Sequence, residues 1–158
     1  MLKEAILALG TAISPVDAEC LALNAYFEAR NQSDAGMIAV SHVVLNRVAS
    51  ERFPNTVCEV VKQARLSRWH LSQGRQVPIR NQCQFSWFCD GLSDVPKERA
   101  AWEHAQRVAR DAFIIHSVGF DITDGSLWYH SRNVTPDWQG DFRYVMHVDD
   151  HLFYQPKR

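Results

Sequence analysis

A helix-rich α+β fold with a small antiparallel sheet late in the chain is what this sequence predicts, on three observations. Apolar residues recur at helical spacing in two long stretches, Met37 to Val48 and Trp102 to Ile115. Two short strand-like stretches flank Asp149-Asp150-His151, as they would around a hairpin turn. The 158 residues are 46% apolar and 22% charged, with no repeat, linker or low-complexity tract, which suits one soluble domain spanning residues 1–158.

The elements follow in order. Residues 2–13 read as a short first helix. The mixed charge of Lys3 and Glu4 and the short apolar run before Gly10 do not make a signal peptide, so no export signal is visible. Ser14-Pro15-Val16-Asp17 opens a second helix, with Ser14 as cap, Pro15 in the first turn and Asp17 completing a capping box. That helix runs to about Arg30 and is broken by Asn31-Gln32-Ser33-Asp34. Ser33 or Asp34 caps the next, Ala35 to Ala49, whose stripe is Met37, Val40, Val44 and Val48. Thr56 caps a short helix from Val57 to about Gln63.

Residues 64–81 are polar, basic and without period, and are expected to form a long surface loop. Gln82 to Phe88 is aromatic and strand-like, closed by Asp90-Gly91. Pro96 to Ser117 is the longest helix, capped by Asp94 and stopped at Gly119. Leu127 to His130 is a short strand, Val134 to Gly140 a loop, and Phe142 to Val148 with Leu152 to Gln155 a hairpin.

Composition excludes several function classes. A net charge of −1 offers no broad basic surface to nucleic acid, although short basic stretches occur at Lys62 to Arg80 and at the C-terminus. No apolar run approaches the roughly 20 residues that span a bilayer, so no stable membrane insertion is expected. The four cysteines contain no C-x2-C pair and so no zinc pattern. Cys83 and Cys89 flank an apolar stretch and could bridge or stay free. Cys20 reads as a small buried residue. Seven histidines lie at unrelated phases without an H-E-x-x-H arrangement, so no metal and no cofactor is expected.

One carboxylate stands out. Glu28 follows Ala25, Tyr26 and Phe27, with Asn24 and Gln32 four residues either side on its helix face. Desolvation disfavours the charged form of a carboxyl, and a Glu so raised can donate a proton to a leaving group near neutral pH. The bland alternative is a helix-end Glu paired with Arg30 or Arg47. Trp128-Tyr129-His130 and Trp138 supply aromatics beside polar donors, which suits sugar rings. Tyr129 could bond substrate or steady an oxocarbenium-like centre, and His130 could position an N-acetyl group. Alternation along a strand would set Gln84 and Ser86 on a polar face lining a groove. Core packing is the alternative for each aromatic.

Taken in order, Y-F-E-A-R, A-G-M-I-A-V-x-x-V-V-L-N-R-V, R-F-P-N-T-V-C-E-V, C-Q-F-S-W-x-C-D-G, W-Y-H, P-D-W and H-L-F-Y resemble the cell-wall hydrolases of the spore-cortex lytic type (SleB/CwlJ), from about Ala18 to Tyr154. Related domains occur in phage lysis proteins. The resemblance implies a lysozyme-like α+β fold and cleavage of the MurNAc-β-1,4-GlcNAc bond of peptidoglycan by lytic transglycosylation, with Glu28 as the acid. The partner implied is the peptidoglycan glycan strand, met by a monomer in the periplasm or cell wall. Context would be a phage endolysin or a trimmed secreted enzyme. A hydrolytic muramidase, a catalytically impaired binding module and a metal-dependent amidase are the competing readings. One departure stands out: the family's E-A-R-G-E is Glu28-Ala29-Arg30-Asn31-Gln32 here, with an amide for the second carboxylate.

Overall fold

The computed structural model describes residues 13–158. The expected helix over residues 2–13 lies, apart from Ile13, outside the described residues. Helix α1 (Pro15–Ala29) begins where the Ser14 hydroxyl accepts from Asp17 N at 3.1 Å. The Asp17 carboxylate accepts from Cys58 N at 3.0 Å rather than closing a box on Ser14, so it caps a neighbouring helix instead. Helix α2 (Asp34–Val48) is capped by Ser33. Asp34 sits inside its first turn and accepts from His104 Nε2 at 2.7 Å. Helix α3 (Val57–Val61) is capped by Thr56.

The stretch 64–81 is not a loop. It holds strand β1 (Ala64–Leu66), helix α4 (Arg68–Ser72) and strand β2 (Pro78–Cys83), with β1 and β2 antiparallel. Segments of three to six residues are too short to print a period. Nor is Gln82 to Phe88 one strand. It ends at Cys83, and Ser86–Cys89 forms a 3₁₀ turn, so the expected alternation of Gln84 and Ser86 has no strand to act along. Helix α5 (Arg99–Ser117) starts three residues after Pro96. Asp94 does not cap it; Glu98 N donates to the Tyr26 hydroxyl at 3.3 Å. Gly119, at φ 93°, stops it as expected.

Strand β3 (Trp128–Ser131), a 3₁₀ turn (Asp137–Asp141), β4 (Phe142–Val148) and β5 (His151–Pro156) complete the chain. The sheet order is β3-β5-β4, all antiparallel, with Tyr129 opposite Phe153. Helices α1, α2 and α5 pack on one another around Leu21, Tyr26, Met37, Val40, Val44 and Ala105. Phe153 carries the sheet's inner face into that core. Between Gly36 and Leu45, α2 is buried almost all round.

Both disulfides are formed. Cys83–Cys89 closes a loop six residues apart, which turns the chain into the 3₁₀ turn. Cys20 is buried but is not a plain apolar residue, because it is bridged to Cys58, 38 residues away, and ties α1 to α3.

A clip joins the α1–α2 break to the hairpin tip. Gln32 Nε2 donates to Asp150 Oδ2 at 3.1 Å and its Oε1 accepts from Asp150 N at 3.0 Å. Ser33 N donates to Asp149 Oδ2 at 2.8 Å. The approach is close enough that a Cβ on Gly36 would stand 2.4 Å from that Asp149 oxygen.

Candidate active site

Glu28 lies in the last turn of α1, whose other side is fixed in the core by Ala25 and Tyr26. Its Oε2 accepts from the Tyr129 hydroxyl at 2.9 Å. Tyr129 reaches it from β3, the edge strand, on the inward face that also carries Phe153. Burial pushes the Glu28 carboxyl up, and the Tyr129 hydrogen bond and the Arg47 charge oppose this without cancelling it. Burial and the neighbouring Glu28 push the Tyr129 phenol well above its ordinary value, so it remains a donor.

Arg47, from α2, is 2% exposed. Its Nε donates to Leu127 O at 2.7 Å, and its guanidinium lies against the rings of Phe53 and Phe85, at 4.9 and 5.2 Å. Burial lowers it to about 10, so it is still a cation at neutral pH. The bland alternative pairs Glu28 with Arg30 or Arg47. Arg30 is instead 3.8 Å from Glu98, and among the described residues neither arginine is within 4 Å of the Glu28 carboxylate.

Two buried donors near the Tyr129–Glu28 pair make no well-formed hydrogen bond, Arg47 Nη1 and Asn24 Nδ2, and the Asn24 side chain faces the Tyr129 hydroxyl. Asn24 is one turn before Glu28, and its Oδ1 accepts from Trp87 Nε1 at 3.0 Å. Trp87 in turn stacks on Phe27, centroids 4.9 Å apart. A buried cation and an amide held around the Tyr129–Glu28 pair suit an acid that becomes an anion during its cycle.

The sequence-marked residues divide between two places. Tyr129 meets Glu28. Gln84 and Ser86 are exposed on either side of buried Phe85, whose ring borders Tyr129 at 6.4 Å. His130 and Trp138 are not brought to the acid. Strand alternation turns His130 to the outer face, where it packs with Trp138 (5.6 Å) and Tyr154 (5.2 Å) and its Nε2 is 2.8 Å from the Tyr154 hydroxyl. Gln32, though four residues from Glu28, turns away to Asp150. In the sequence Arg47 enters only as an alternative ion-pair partner of Glu28 and Asn24 only as a neighbour on its helix face, and Trp87 is given no role at the site. The signal for Arg47 was present: an arginine inside a helix with no polar face needs a buried role.

His42 is fully buried, with Nε2 2.9 Å from Ala112 O and Nδ1 accepting from Ile122 N at 3.1 Å. Among the described residues no three His, Cys, Asp or Glu side chains are grouped to hold a metal.

A partly buried acid at a helix end, set against the inner face of a small antiparallel sheet, defines the lysozyme-like α+β class, and here a peptidoglycan-cleaving enzyme. The chain belongs to the cell wall hydrolase family, which matches residues 31–154. Glu28 lies three residues before that match. Two solved structures are similar. One is the catalytic domain of the germination-specific lytic transglycosylase SleB from Bacillus anthracis (25% identity, TM-score 0.60, 92% of this chain and 98% of that one). The other is the catalytic domain of the Bacillus cereus SleB protein (27% identity, TM-score 0.61, 92% and 94%). Comparison with the curated proteins gave no match.

Proposed function

We propose that the protein is a lytic transglycosylase that cleaves the MurNAc-β-1,4-GlcNAc bond and leaves 1,6-anhydro-MurNAc ends, with Glu28 as its single acid and base. The observation that carries this is the company Glu28 keeps. The groups that set its charge are Tyr129 and Arg47, and no carboxylate is among them. A hydrolytic glycosidase needs a second carboxylate about 5 to 9.5 Å away. Asp34 is taken by His104, Asp90 by Leu92 N, and Asp137 and Asp141 stand in the 3₁₀ turn beside the outer aromatics. Both SleB neighbours support the reading, one of them by its description as a lytic transglycosylase.

The steps follow from one acid. Protonated Glu28 accepts the Tyr129 hydrogen on Oε2, which leaves Oε1 to carry the proton toward the glycosidic oxygen. That oxygen leaves with the GlcNAc side as its C1–O bond breaks. The C6 hydroxyl of the same muramic residue attacks C1 and returns its proton to the Glu28 carboxylate. No water is consumed. Between the two transfers the carboxylate is steadied by the Tyr129 hydrogen bond and by the Arg47 charge.

Gln84 and Ser86 are proposed as glycan contacts at the rim beside Phe85. His130 and Trp138 would meet a glycan only where it passes the outer face of β3. The protein acts as a monomer at the wall. Two disulfides support maturation outside a reducing cytosol, as in a secreted bacterial enzyme or a phage endolysin after release.

Mass spectrometry of muropeptides released from purified sacculi tests the reaction. Ends lighter by one water than ordinary reducing muramic acid are expected. Ordinary reducing ends mean hydrolysis and overturn the one-acid scheme.

A further inference from the structure

The basic segment from Lys62 to Arg80 has no part in the chemistry above. It carries Lys62, Arg65, Arg68, Arg75 and Arg80, and no Asp or Glu occurs between Glu59 and Asp90. All five cations are exposed, and among the described residues none is within 4 Å of a carboxylate. The whole chain sums to −1, so this segment's +5 stands against −6 elsewhere. Unpaired like charges repel in the folded state, and a surface that keeps them is complementary to an anion.

The fold raises these charges on the β1–α4–β2 ribbon. On α4, Trp69 is 63% exposed, with the Arg75 guanidinium 5.6 Å from its ring centre. The ribbon is rooted beside the acid. Gln84 N donates to Gln63 O at 2.8 Å, and Phe85, the next residue, borders Tyr129. At the root is a polar hollow of about 230 Å³, lined by Gln63, Ala64, Arg65, Gln82 and Gln84. Gln63 Oε1 is buried there without a partner. The hollow thus sets the cationic Arg65 among the amide side chains of Gln63, Gln82 and Gln84, a lining that suits a peptide carboxylate flanked by its own amides.

We propose that the Lys62–Arg80 ribbon docks the carboxylate-bearing peptide stems of peptidoglycan, so that the enzyme selects stem-bearing over bare glycan. This rests on the substrate reading above. The stems repeat along each strand, and the ribbon carries five exposed cations to meet their carboxylates. The flat pair of Trp69 and Arg75 gives the peptide an apolar face to lie on.

The test is binding in a Glu28→Gln background, which separates docking from turnover. Intact sacculi and sacculi stripped of stems by an amidase are the two probes. Arg65→Glu, Arg68→Glu and Arg75→Glu together should weaken binding to intact sacculi at least about tenfold, and parent binding should fall with salt. Stripping the stems should bring the parent down to the level of the variant. The triple Lys variant, which keeps charge, should retain most of the binding and controls for folding. Equal parental affinity for the two probes overturns the proposal. So does a charge reversal that weakens both probes alike, or one that abolishes binding to phosphatidylglycerol vesicles and spares sacculi. Parent protein that binds neither probe removes the substrate reading itself, and this proposal with it.

Discussion

The Tyr129 hydroxyl donates to Oε2 of Glu28 at 2.9 Å, across 101 residues of sequence. One phenol therefore both orients the acid and limits how far burial raises it. The hydrogen bond favours the carboxylate while desolvation favours the acid, and desolvation wins. In the proposed scheme the acid form starts the reaction, so activity should decline as pH rises through the elevated Glu28 value.

Tyr129→Phe removes the bond that favours the carboxylate. The Glu28 carboxyl then rises further, and the alkaline limb of the pH–rate profile moves upward by about one unit, since a hydrogen bond to a charged group is worth about 1.5 to 3 kcal/mol. Maximal turnover falls about tenfold, because the base step loses its donor. A limb that stays put or moves down removes Tyr129 from this role.

Glu28→Gln should cost at least about 100-fold in lysis while sacculi are still bound. It should also stabilise the protein at neutral pH. The folded state holds the Glu28 proton more tightly than the unfolded chain does. That contribution is full below the unfolded value of about 4.3 and is lost as pH climbs through the raised folded value. Melting temperatures of the two proteins should converge near pH 4 and separate toward pH 8 with the variant higher. Parallel curves would show that Glu28 is not desolvated.

Gln32→Glu supplies the carboxylate that the resemblance implies at this position but sets it against the Asp150 carboxylate that Gln32 now donates to. A loss of about 1 to 2 kcal/mol is expected, eased by Arg132, which lies 3.1 Å from Asp150. Asp150→Asn in the same chain should recover most of it, and a double-mutant cycle in urea reads the coupling. Additive effects would mean that the two side chains do not communicate.

Reduction should lower the melting temperature markedly. The chain-entropy relation gives about 4 kcal/mol for the Cys20–Cys58 loop and about 2 kcal/mol for Cys83–Cys89. The Cys20→Ser/Cys58→Ser protein should accordingly be the less stable of the two paired variants. The reverse order in calorimetry would contradict this assignment.

What could be read in the sequence was what is local. Ser14, Ser33 and Thr56 cap where expected, because a cap and its helix are three residues apart. Glu28 was legible from its apolar neighbours in the same turn. The bond from Tyr129, the Cys20–Cys58 bridge and the turning of Gln32 toward Asp150 were not, because each joins residues far apart in sequence. Gln84 and Ser86 were misassigned to a strand because the Cys83–Cys89 bridge overrides β propensity and bends the chain. His130 and Trp138 share a motif order with Tyr129, but the period of two along β3 sends His130 to the opposite side.

The clip between Gln32-Ser33 and Asp149-Asp150 means that the bend just after the acid is held by a hairpin made more than a hundred residues later. Tyr129 is also held in register by β5, whose Phe153 lies opposite it. A chain still being translated has its acid but neither the anchor nor the strand that aims the phenol. Under the proposed function, competence therefore waits until the hairpin has been made and docked against the α1–α2 break.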